Sequence, residues 1–164
     1  MFKNARIYRL EDAAAVDLNG LEERLGQRRF RACGPLEVAT LGWQPSLGGG
    51  TEALAHVVNG CALVCARRQE RLLPSSVVAE ARDERVAELE DRESRSVGRP
   101  ERRRLREAVL VEMLPRAFLR SRQVRAYLDT VAGWMVVDAA SEKAADELGS
   151  LLRESLGLSL IHIS

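Results

Sequence analysis

Hydrophobic and polar positions alternate imperfectly at the start of the chain. Phe2, Ile7 and Tyr8 lie among Lys3, Arg6 and Arg9, which predicts a strand over residues 2–10 with one covered face. Ala14, Leu18, Leu21 and Leu25 then recur at helical spacing, with Glu22, Glu23 and Arg24 on the outer side and Gly26 or Gly34 as the stop. A further strand is expected over 36–43, running into a flexible Pro/Gly-rich loop at 45–50. Residues 53–58 and 61–67 flank Asn59-Gly60, the pair a two-residue type I′ turn needs because both central residues take positive φ.

The pattern changes after Pro74. Residues 76–95 read as a helix capped by Ser75 or Ser76, with a thin apolar stripe of Val78, Val86 and Leu89 between densely charged faces. Such a helix cannot be buried all round, so it should protrude or pair with a single neighbour. Gly98-Arg99-Pro100 breaks the chain, and Pro100 suits the first turn of a second helix carrying Leu105, Val109 and Met113. Pro115 should kink or end that helix. Strands resume through Val124, Tyr127 and Leu128 and through 134–137. Ser141 can then cap a last helix striped by Ala145, Leu148, Leu151, Leu152 and Leu156, with Gly157 at its C-terminal cap. The expected architecture is α+β: a mainly antiparallel sheet with packed helices (1–75 plus 120–157) and an inserted, protruding helical hairpin, a finger, at 76–119.

Composition adds limits. With 164 residues, 46% hydrophobic and 30% charged, the chain fits a soluble globular domain large enough for its own core. No apolar run approaches the ~20 residues of a membrane span. The N-terminus lacks the pattern of a secretory signal, so a cytosolic location is expected, and three cysteines then argue for reduced thiols.

Few constellations carry catalytic chemistry. Cys61 and Cys65 share a strand face with Leu63, which reads as a core row rather than half of a zinc site. His56 has no nucleophile-elbow motif near it, Gly48-Gly49-Gly50 is followed by Glu52 rather than by Lys-Ser/Thr, and the carboxylate pairs fall on polar helix faces. A non-catalytic protein without cofactor or metal is expected.

Charge is more informative. Net charge is only +1, yet residues 99–125 hold nine arginines against three glutamates, a local +6 that leaves −5 for the rest. Arginine makes up 23 of the 25 basic residues, so compositional bias explains why the residue is arginine. Bias does not explain the clustering, which is the footprint of an anion-binding segment. Arg102, Arg103 and Arg106 share one side of the second hairpin helix. Phe118 follows Arg116 at the helix end, and spacing favours it as a core residue at the sheet–helix junction over an exposed contact.

The segments Phe2-Lys3-Asn4 with Tyr8-Arg9-Leu10, Cys33-Gly34, Gly42-Trp43 with Pro45, Ala53-Leu54, His56-Val57 and Asn59-Gly60 resemble the RdgC family of bacterial recombination-associated, DNA-binding proteins. So do Cys65-Ala66-Arg67, Leu73-Pro74-Ser75, Leu114-Pro115-Arg116-Ala117-Phe118, Asp129-Thr130-Val131, Val137-Asp138 and Ala140-Ser141. The resemblance implies a nucleoid-associated homodimeric ring around double-stranded DNA, with little sequence preference, that restrains strand exchange by the RecA-type recombinase. It also implies that Arg116 and Phe118 lie on the finger, where subunits meet and touch DNA. Two departures stand out. The turn is Val131-Ala132-Gly133 where the family favours Val-Asn-Gly. The chain is also about half a family member's length, with a tail at 158–164 that looks non-native, so it reads as a truncated N-terminal half.

The expected DNA-binding set is Arg99, Arg102, Arg103, Arg106, Arg116, Phe118, Arg120 and Arg122. The competing expectation is an assembly arm whose arginines pair with acids of residues 80–93.

Overall fold

The computed structural model describes residues 2–158 and 160–163. In chain order the strands and helices are β1 (Ala5–Leu10), α1 (Leu21–Gly26), β2 (Ala39–Gln44), β3 (Ala55–Val58), β4 (Cys61–Leu72), α2 (Ser75–Glu93), α3 (Arg99–Met113), β5 (Phe118–Asp129), β6 (Trp134–Asp138), α4 (Glu142–Leu156) and β7 (Leu160–Ile163). Short 3-10 turns occupy Ala13–Ala15 and Leu114–Arg116. The sheet runs β2-β4-β5-β6-β1-β7, with β3 pairing β4 beside that path. The fold is α+β with antiparallel pairing, as the patterning predicts.

Two compact units divide the chain: residues 1–31, 41–68 and 121–164, and residues 32–40 with 69–120. In the first, β6 pairs antiparallel with both β1 and β5, so that Ile7 and Tyr127 each stand opposite Val136. Leu160–Ile163, within the segment expected to be a foreign tail, hydrogen-bonds along β1 with Ile7 opposite Ile163. Ser159 and Ser164 of that segment lie outside the described residues.

The inward rows Ala62-Val64-Ala66, Val124-Ala126-Leu128 and Met135-Val137 meet Ala144, Ala145, Leu148, Leu151 and Leu152 of α4 in one core. Small residues on β4 let the helix approach the sheet. Trp43 is fully buried there, and its indole N–H donates to Ser155 Oγ at 2.9 Å. Of the cysteine row on β4, Cys65 is buried as expected, but the row as a whole is not the one that meets α4. Cys61 and Leu63 are half-buried on the opposite face, because the even-numbered residues one position away turn inward.

Turn chemistry sets the ends of the elements. Asn59 and Gly60 have φ of 50° and 78°, the left-handed pair that the hairpin turn requires. Thr130 Oγ1 donates to the Gly60 carbonyl at 2.7 Å, tying this turn to the β5–β6 turn. α1 is shorter than the spacing predicts, because Asp17 Oδ1 accepts from the Asn19 N–H and holds a turn before Leu21. α4 begins as expected: Ser141 Oγ accepts from the Ala144 N–H at 3.2 Å, and Gly157 closes the helix at φ 70°. Ser141→Ala should cost about 1 kcal/mol, read as a lower urea midpoint at unchanged slope. An unchanged midpoint would show that the cap contributes nothing.

In the second unit α2 and α3 pack together as a hairpin, burying Val78 and Val86 of one helix and Val109 of the other. The α2 cap differs from expectation. Pro74 occupies the N-cap, Ser75 and Ser76 lie inside the first turn, and neither makes a side-chain cap. Pro100 sits in the first turn of α3 as expected.

Candidate nucleic-acid interface

The loop between α2 and α3 is cross-linked by charge. Arg95 donates from both terminal nitrogens to Glu101 at 2.8 Å and from Nε to Glu93 at 2.6 Å, joining the end of α2 to the start of α3. The Arg95 guanidinium holds the Glu101 carboxyl below its usual range. Ser94 takes φ 51°, and Glu90 Oε1 accepts from the Val97 N–H at 3.0 Å. Further along, Arg85 pairs with Glu112 and holds that carboxyl low as well.

The predicted arginines meet different fates on this frame. Arg99 is exposed at the start of α3, and Arg106 is half-buried on the same side of the helix. Arg102 reaches across to Glu90 at 3.6 Å and donates from Nε to the Val97 carbonyl at 3.2 Å. Helical spacing explains this, since Arg102 lies on the stripe that Val109 and Met113 continue toward the hairpin base. Among the described residues Arg103 has only Glu107, on its own helix, at 3.5 Å, with its side chain 83% exposed. Arg99, Arg104, Arg106 and Arg116 make no ion pair among the described residues. Arg120 pairs with Glu70 across β4 and β5. Arg122 belongs to the other unit, where it meets Glu147 of α4 at 3.1 Å.

Phe118 is 83% exposed, against the expectation of a core position. Leu114 fills the buried place at the helix end, so the ring four residues on faces outward beside Arg116. An open apolar recess of about 250 Å³ lies next to it, lined by Leu72, Leu73, Met113 and Ala117 with Glu112 and Arg116. Arg104, outside the expected set, is also exposed on α3. Its signal was present in the run Arg102-Arg103-Arg104.

Candidates for other chemistry stay apart. Burial pushes the Cys65 thiol up, away from the thiolate a nucleophile needs. His56 is exposed on β3. Among the described residues no three His, Cys, Asp or Glu side chains are grouped to hold a metal ion. No helix among them is long and apolar enough to cross a membrane.

Fold and surface together define an α+β protein with an arginine-rich helical hairpin and an exposed aromatic at the hairpin base. The family model described as "Putative exonuclease, RdgC" matches residues 1–163. Proteins named recombination-associated protein RdgC from Salmonella paratyphi B, Salmonella schwarzengrund and Salmonella typhimurium are each 38% identical over 156 residues. Each match covers 95% of this chain and 52% of the relative, so the chain spans about half the length of these relatives. The chain belongs to the RdgC family.

Proposed function

We propose that this chain is a duplex-DNA-binding part of a recombination-associated protein, gripping phosphates without reading bases and thereby restraining RecA-type strand exchange. The observation that carries this reading is the set Arg99, Arg103, Arg104 and Arg116, exposed and either unpaired or held only by a neighbour on the same helix. Guanidinium forks match phosphate oxygens and keep their charge at any relevant pH. Ion pairing, within the hairpin or across β4 and β5, does not remove the others from use. Exposed ion pairs contribute about 0–1 kcal/mol, so a polyanion can displace Glu90 or Glu70 from its arginine. Phe118 and its recess fit a subunit or DNA contact, and in the full-length form a homodimer would bring two such surfaces together. No residue is assigned to hydrolysis: the reading is one of binding.

Fluorescence anisotropy of a random-sequence duplex, titrated at several salt concentrations, tests it. Engagement of five or six phosphates gives a log–log salt slope of about −5, with little change between sequences. A folded chain that shows no duplex binding at low salt removes this reading and leaves the second: an assembly arm whose arginines serve hairpin pairs such as Arg102–Glu90 and Arg85–Glu112.

A further inference from the structure

We propose that Arg71, near the end of β4, is a positioning residue that sets how Arg116 and Phe118 are presented. Its Nη1 donates to the carbonyls of Ala117 at 3.2 Å and Pro115 at 3.4 Å, and its Nη2 donates to the Gly34 carbonyl at 3.0 Å. Its backbone N–H donates to the Val38 carbonyl at 2.8 Å. No carboxylate pairs with this half-buried guanidinium among the described residues, and its Nε is buried without a partner. The charge is thus held by backbone carbonyls alone.

Two of those carbonyls, of Pro115 and Ala117, flank Arg116, and that of Ala117 immediately precedes Phe118. A ring 83% exposed has little packing to orient it, so its direction follows the backbone at the start of β5, which Arg71 helps to hold at the Ala117 peptide. The third carbonyl ties the same guanidinium to residues 32–40, which run alongside β4 through the Arg71–Val38 bond. A planar fork can serve acceptors on two sides at once, whereas a lysine ammonium on a flexible stem cannot hold the same three in fixed geometry.

The inference rests on the reading that Arg116 and Phe118 meet the ligand, and the test separates the two. Arg71→Lys keeps the charge and loses the fork. In this chain it should speed amide exchange across 114–118 by about tenfold through local opening, with exchange in α4 unchanged. It should also weaken duplex binding about threefold to tenfold at fixed salt, as expected when a binding segment is no longer pre-organised. In an Arg116→Ala/Phe118→Ala background, Arg71→Lys should weaken binding no further. Arg71→Met, which keeps the stem without charge, should give the same pattern if Arg71→Lys is poorly folded. Unchanged exchange across 114–118, or an equal loss of binding in both backgrounds, overturns the proposal. If Arg116→Ala/Phe118→Ala binds duplex as the unchanged chain does, this segment has no part in DNA contact, and exchange alone then judges the positioning role.

Discussion

Gly42→Ala is expected to destabilise the sheet unit by about 3 kcal/mol or more, since overpacking a site that cannot relax lies at the upper end of such changes. A Cβ at Gly42 would stand 2.5 Å from Phe30 Cα, 2.6 Å from Phe30 N and 2.9 Å from the Arg28 carbonyl oxygen. All three are backbone atoms, so no side chain can swing away. The crowding exists because residues 28–30 lie against β2: Phe30 N–H donates to Trp43 O at 2.7 Å, and Trp43 N–H donates to Arg28 O at 2.9 Å. Relief would break these bonds and shift Trp43, the largest fully buried side chain of the core. A domain with a total stability of about 5–15 kcal/mol would lose a large share. Gly26→Ala is the control. It has open space around its Cβ in a helix, where alanine is favoured by up to about 1 kcal/mol. Urea unfolding should separate the two variants widely; equal midpoints would show that the Phe30 segment yields without cost.

The second large effect concerns salt. Arg102→Ala/Arg103→Ala/Arg106→Ala should flatten the log–log slope of duplex binding by up to about 3 units, at roughly 0.9 for each phosphate no longer engaged. The structure adds a change in the opposite direction. Glu90 Oε1 pairs with Arg102 at 3.6 Å and also accepts from the Val97 N–H, so it would compete with a phosphate for that arginine. Glu90→Gln keeps an acceptor for that N–H and removes the charge. Duplex affinity at low salt should therefore rise, with the hairpin intact. A slope unmoved by the triple substitution would place the binding face elsewhere. An affinity unmoved by Glu90→Gln would show that Arg102 serves the hairpin rather than DNA.

Much of this frame was legible in the residues because its causes are local. Asn59-Gly60 announces its turn through φ, and Ser141 with Gly157 brackets α4. Gly98 and Pro100 likewise mark the start of α3. Other features depend on choices that patterning leaves open. Which face of β4 turns inward was ambiguous, since Cys61-Leu63-Cys65 and Ala62-Val64-Ala66 are both apolar rows. The latter meets α4 because small residues accept the helix, while Cys65 is buried on the other face. Phe118 looked like core by type, but Leu114 already fills that place. Pro74 displaced the serine caps, since the helix begins directly after it. The Arg71 clamp was invisible for a different reason. Its acceptors are backbone carbonyls 37, 44 and 46 residues away, and a carbonyl carries no side-chain signature.

The start of α3 combines two features that oppose each other. Peptide dipoles give a helix roughly half a positive charge at its N-terminus, where acidic side chains stabilise and basic ones do not. The first turns of α3 instead carry Arg99, Arg102, Arg103 and Arg104, with Glu101 the only acid in the first turn and no side-chain cap at Gly98. By itself this end of the helix is electrostatically frustrated, like a spring held slightly compressed. If duplex phosphate binds there as proposed, it would relieve dipole and side chains at once, and its occupancy and helix order at this end of α3 would then be thermodynamically linked.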